Sequence, residues 1–116
     1  GLAGGFIEPL ESTGLALAME GAYQFVNLTR DGYGHGATSN LYNAIMKSFY
    51  EESIDFVTMH YIVNNRKEKF WEEARKLKIP PQYRMYEKQK NNVANYPNNQ
   101  YSFFGGNNWV TWLKQV

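Results

Sequence analysis

Apolar positions along the chain fall into two long blocks, a shorter one and a ring-rich tail. Residues 15–28 are apolar nearly all round: Leu15, Leu17, Met19, Ala22, Tyr23, Phe25, Val26 and Leu28, interrupted by Glu20, Gln24 and Asn27. A helix apolar on every side must be covered on every side, so this stretch predicts a central helix that needs a covering partner. Gly21 lowers its helix propensity and marks an expected close backbone approach. A second helix is expected after a cap at Thr38 or Ser39, running to about Tyr61, with Tyr42, Ile45, Met46, Phe49, Phe56 and Val57 at helical spacing. A third, roughly residues 67–78, places Phe70, Trp71, Ala74 and Leu77 on an inner stripe and Lys69 and Glu73 at i,i+4. Pro80-Pro81 ends it and opens a fourth helix bearing Tyr83 and Tyr86. Residues 91–108 are rich in Asn, Gly and rings and predict a packed loop. Trp109 and Trp112, three apart, share one face of a short terminal helix. The fold class is mainly α.

Polar residues within these blocks read as structural. His35 lies in a glycine-rich connector that lacks the spacing of a phosphate loop, and is expected to be solvated. Glu51 and Glu52 are adjacent on a helix and point apart, so a solvated face is expected rather than a carboxylate pair. His60 ends an apolar helix beside Met59 and Tyr61 and reads as a satisfied structural histidine.

Composition narrows the function classes. A chain of 116 residues makes one domain at most, and a net charge of +1 with mixed signs argues against a dedicated nucleic-acid binder, which would show a basic stripe. Without cysteine there is no disulfide or thiolate metal site, and no metal is expected. No apolar run reaches membrane-spanning length and no basic n-region precedes one; a cytoplasmic location is the expectation. Aromatic residues make up 16% of the chain, enough for either a ring-built core or a pocket for a flat ligand.

The candidate chemistry sits in the first fourteen residues, ahead of the first helix, which suggests a piece of a larger protein. In Gly5-Phe6-Ile7-Glu8-Pro9-Leu10-Glu11-Ser12-Thr13-Gly14, two carboxylates flank a proline and Ser-Thr-Gly leads into the apolar run. Pro9 keeps Glu8 out of a helix, and Ser12 or Thr13 is placed to cap the first helix. Amides near Thr13 and Gly14, without intrahelical partners, would form an anion site beside a carboxylate.

The Glu8-Pro9-Leu10-Glu11-Ser12-Thr13 string resembles a hallmark of the flavin-dependent halogenases, best known from the tryptophan halogenases, and Gly14 fits it too. The similarity continues through Asp55-Phe56-Val57, His60-Tyr61 and Phe70-Trp71, then fades, with Asn108-Trp109 matching a family tryptophan. The resemblance implies a two-module enzyme. Residues 1–14 would be an active-site loop continuing from an FAD-binding α/β module, and residues 15–116 a helical substrate-side module lacking the dinucleotide-binding sheet. It implies reduced FAD from a separate flavin reductase, O2 and a halide (chloride or bromide) that together give hypohalous acid, which halogenates an electron-rich aromatic substrate. Carried over by position, Glu11 is the catalytic glutamate and Ser12 its neighbour, while the backbone amides of Thr13 and Gly14 hold the halide. Phe6, Tyr101, Phe103, Phe104, Trp109 and Trp112 are candidates for lining the substrate pocket. A family glycine-rich loop and lysine have no counterpart in this sequence, so residues 1–116 alone would be inactive. The late aromatic segment departs from the tryptophan-specific enzymes and leaves the arene open. A related hydroxylating flavin monooxygenase and a noncatalytic helical interaction module are the alternatives.

Overall fold

The computed structural model describes residues 3–30, 32, 35–89, 91 and 100–114, with no side-chain description for Gln89 and Trp112. A 3-10 turn, Leu10–Ser12, leads into α1, Thr13–Arg30; α2, His35–Ile62, α3, Lys69–Ala74, α4, Pro81–Gln89, and α5, Gly106–Lys114, come after it. There is no strand among the described residues, as a mainly α reading requires. Two compact units divide at Glu51 and Glu52, so α2 contributes its first part to one and its remainder to the other.

In the first unit, α1 buries one stripe: Thr13, Gly14, Leu17, Gly21 and Leu28. These residues recur at three-, four- and seven-residue steps, as one helical face must. Ile45, Met46 and Phe49 supply the buried stripe of α2 in the same unit. Gly21 marks the close approach expected of it: a Cβ there would lie 3.1 Å from the Tyr42 hydroxyl and 3.5 Å from Cε of Met46. Phe25 and Tyr42 meet edge to face at 6.4 Å. The opposite face of α1 carries a second apolar stripe, Leu15, Met19, Tyr23 and Val26, all more than half exposed.

The second unit is built around Phe56, Met59, Tyr86, Phe104, Trp109 and Leu113. Phe56 stacks on Phe104 at 3.9 Å and meets Trp109 edge to face at 5.2 Å, and Tyr86 stacks on Trp109 at 4.9 Å. Such pairs add about 0.5–1.5 kcal/mol each beyond area burial. The tail that reads as a packed loop thus closes the core at Phe104. Part of the 91–108 stretch, including Tyr96, lies outside the described residues. A smaller ring cluster joins the end of α2 to α3: Tyr61 stacks on Trp71 at 5.8 Å, Phe70 meets Trp71 edge to face at 5.0 Å, and the Arg66 guanidinium lies 4.9 Å from the Trp71 ring. Phe56-Val57, Tyr61 and Trp71, drawn from three blocks of the family resemblance, are therefore packing residues here.

Several boundaries shift, each for a local reason. Helix α2 begins at His35 instead of after Thr38 or Ser39; Ser39 Oγ donates to the His35 carbonyl at 3.0 Å, an in-helix back-bond that replaces a cap. His35 is exposed, as expected. Helix α3 stops at Ala74, where bonds from Lys76 to Glu73 and from Leu77 to Ala74 tighten the chain to 3-10 turns ahead of Pro80-Pro81. With so short a helix only Trp71 and Ala74 of the expected stripe turn inward, leaving Phe70 and Leu77 exposed. Glu73 pairs with Lys76 at 2.6 Å in place of Lys69, a solvated ion pair of little energetic weight.

Candidate active-site turn and a buried carboxyl

The turn before α1 is held by its own backbone and by Glu8. Ser12 N–H donates to the Pro9 carbonyl at 3.0 Å, and the Leu10 carbonyl accepts both the Thr13 N–H and, at 2.7 Å, the Thr13 hydroxyl. Glu8 Oε1 accepts the Leu10 N–H at 3.2 Å, so the first carboxylate braces the turn. Inside this frame Glu11 (φ 56°, ψ 20°) and Ser12 (φ 55°) both adopt left-handed backbone. Neither is glycine or asparagine, and each such residue costs on the order of 1–2 kcal/mol. Strain of this kind persists where surrounding contacts over-determine it and is concentrated at functional sites. Its result is a pair of exposed side chains, Glu11 and Ser12, presented just before two buried backbone positions, Thr13 and Gly14.

Two expectations for this stretch are corrected. Ser12 and Thr13 do not cap α1: Ser12 is left-handed, and Thr13 is the first helical residue with its hydroxyl turned back to Leu10. The Thr13 amide is also engaged, because the 3-10 turn supplies the Leu10 carbonyl as its acceptor. Just upstream, a cleft of about 470 Å³ opens in the first unit, lined by Gly4, Gly5, Gly21, Tyr42, Met46 and Tyr50 among others. A Cβ on Gly5 would fall 2.6 Å from Cζ of Tyr50, so the ring must swing away to admit any side chain there.

The proposed substrate-lining rings divide by environment. Phe6 is exposed in the first unit, 60% of its surface reaching solvent. In the second unit Tyr101 and Phe103 are half-buried. Phe104 and Trp109 are seated inside the core, Trp109 with no exposed surface, and so present no open ring face. Trp112 lies in α5, but its side chain is outside the described residues.

A residue that the sequence places on a solvated face is the main surprise. Glu52 is 1% exposed, whereas its neighbour Glu51 is exposed and pairs with Lys47 at 2.8 Å. Adjacent helical positions do point apart; the error lay in taking both for solvent-facing. Burial pushes the Glu52 carboxyl up from 4.5 to about 7. The Ser102 hydroxyl, the amides of Phe103 and Phe104 and the Trp109 indole pull it weakly the other way, yet no hydrogen bond closes on either oxygen or on Trp109 Nε1. The one sequence signal is spacing: Glu52 stands four residues before Phe56 and seven before Met59, on the core stripe. His60, at the same end of α2, has its Nδ1 2.8 Å from the Phe56 carbonyl. No His/Asp/Glu cluster suited to a metal occurs among the described residues.

Residues 1–115 match the family described as tryptophan halogenase. The chain belongs to that family. A curated relative, tryptophan 7-halogenase KtzQ of Kutzneria sp. (strain 744), is 30% identical over 78 residues, which cover 66% of this chain and 15% of the relative. The chain therefore aligns with a small part of that halogenase's length. No solved structure matches. No helix among the described residues is long and apolar enough to cross a membrane.

Proposed function

We propose that this chain forms the active-site turn and helical substrate-side portion of a flavin-dependent halogenase acting on an electron-rich aromatic ring. The observation that carries the reading is the Glu8–Thr13 turn, which lifts Glu11 into solvent on a strained backbone within a family of tryptophan halogenases. An exposed carboxylate on a rigid turn is suited to orient the halogenating species or accept the ring proton, a general-base role. Ser12 stands beside it. Tyr101 and Phe103 are the rings best placed to face substrate in their unit, with Phe104 and Trp109 supporting them from the core.

The described residues contain no strand–glycine–helix cradle, so FAD would be held by a separate FAD-binding module, and no step at the flavin is assigned to this chain. When bound and reduced, FAD would activate O2 for halide oxidation, with a flavin reductase as its source of electrons. A halide at the amides of Thr13 and Gly14 fits only in part, since the Thr13 N–H already bonds to Leu10; halide binding there requires that bond to be exchanged. The second apolar stripe of α1 fits the need for a covering module. The reading is tested with the intact protein, reduced FAD, O2, tryptophan and other indoles or phenols, with and without bromide. A bromide-dependent mass increase of one bromine for hydrogen is expected, and hydroxylated product alone would overturn the reading.

A further inference from the structure

Glu52 is the only buried carboxyl among the described residues, and what surrounds it comes largely from one segment of the tail. Ser102 Oγ, the amides of Phe103 and Phe104 and, from the start of α5, the Trp109 indole border it. Two buried polar groups, the Glu52 carboxyl and Trp109 Nε1, thus share one pocket of the core without completing a hydrogen bond. Unpaired buried polar groups are costly and are few in native proteins. We propose that Glu52 is a positioning residue that seats segment 101–104 on the core of the second unit and thereby fixes Tyr101 and Phe103.

The consequence for substrate rests on the proposed substrate-facing role of Tyr101 and Phe103. The mechanical part stands on the packing alone. Segment 101–104 is anchored at Phe104, stacked on Phe56, and at Ser102, whose hydroxyl donates to the Phe104 carbonyl at 3.3 Å. Glu52 lies one turn before Phe56 on α2, so anchor and carboxyl approach the segment from the same helix. Among the described residues no charged side chain acts on Glu52 from α2, α4, α5 or the segment itself; the titratable Tyr86 of α4 and His60 of α2, which also border Phe56 or Trp109, are not among the groups that act on it. A neutral carboxyl is tolerated there. An ionised one has no counter-charge among the described residues and gains water only if the segment lifts, which takes Phe104 off Phe56. Positioning is therefore complete below pH 4.5 and weakens as pH rises to about 7.

The test is amide exchange across residues 101–104 in the intact protein, corrected for intrinsic pH dependence, for wild type and Glu52→Gln. Wild-type protection is expected to fall by up to roughly tenfold per pH unit between pH 4.5 and about 7 and to level off above that, while Glu52→Gln, neutral and similar in shape, stays flat. With tryptophan and bromide as probes, KM should rise over the same range in wild type and not in the variant, with kcat little changed. Identical pH dependence in the two proteins, or none in wild type, overturns the proposal. Exchange that behaves as expected with an unmoved KM supports the positioning and rejects the substrate-side reading of Tyr101 and Phe103. Should Glu52→Gln fail to fold, carboxyl-carbon NMR of wild type decides: a Glu52 midpoint near 7 supports the proposal, and one near 4.5 overturns it.

Discussion

Two consecutive left-handed residues define the turn, and neither has a side chain that makes this conformation easy. Nothing in Glu11-Ser12 announces it, because positive φ is read from glycine or asparagine and here it is imposed by Pro9, Glu8 and the Leu10 carbonyl. The sequence did reveal the order of carboxylate, proline and hydroxyl residues, and thus where to look. Ser12→Gly should relieve the strain and Ser12→Val should worsen it, a difference of about 2 kcal/mol in unfolding free energy by denaturant titration. Equal stabilities would show that the left-handed turn is not adopted in solution. Glu52 teaches a related lesson. Charge is usually a reliable sign of exposure, and it fails where a helical stripe claims the position for the core.

The elements differ in how far they were legible. Helix α1 and the long α2 are plain from the 3.6-residue period, and Gly21 between them is the clearest single forecast. Its packing predicts that Gly21→Leu costs about 1–3 kcal/mol by wedging α1 from Tyr42 and Met46. Gly36→Leu, with nothing within 4 Å, should cost nothing measurable; equal effects at the two sites would contradict the close approach. Helix α3 was overextended because its charge alternation continues past the point where the two prolines force the chain out of the helix. For α2, the folded Glu52 carboxyl holds its proton above the unfolded value, so the native state binds more protons between pH 4.5 and about 7. The contribution of Glu52 to stability is therefore greatest below pH 4.5, falls through that window and is flat above it, by on the order of 3 kcal/mol in all. Chemical denaturation of Glu52→Gln at pH 5 and pH 8 should show this pH-dependent loss removed; a wild-type slope that survives in the variant would place its origin elsewhere.

At the scale of the molecule, the matched stretch covers 15% of the related halogenase, and the surface of α1 carries a feature that the proposed covering module would explain. Leu15, Met19, Tyr23 and Val26 form an apolar stripe opposite the buried face of α1, the kind of surface that the proposed covering module would bury. The all-round hydrophobic pattern makes this visible from the sequence, although the covering module cannot be read from it. Met19→Glu with Val26→Glu, harmless for residues this exposed on a free surface, should lower the thermal midpoint of the intact protein and its flavin retention. An unchanged midpoint and unchanged flavin content would show that the stripe faces water. The central claim concerns Glu11. Bromination of an aromatic probe by the intact protein, compared between wild type and Glu11→Gln, tests it most directly: the account predicts a loss of about 100-fold or more with fold and bound flavin unchanged. Near-normal product from the variant would contradict it.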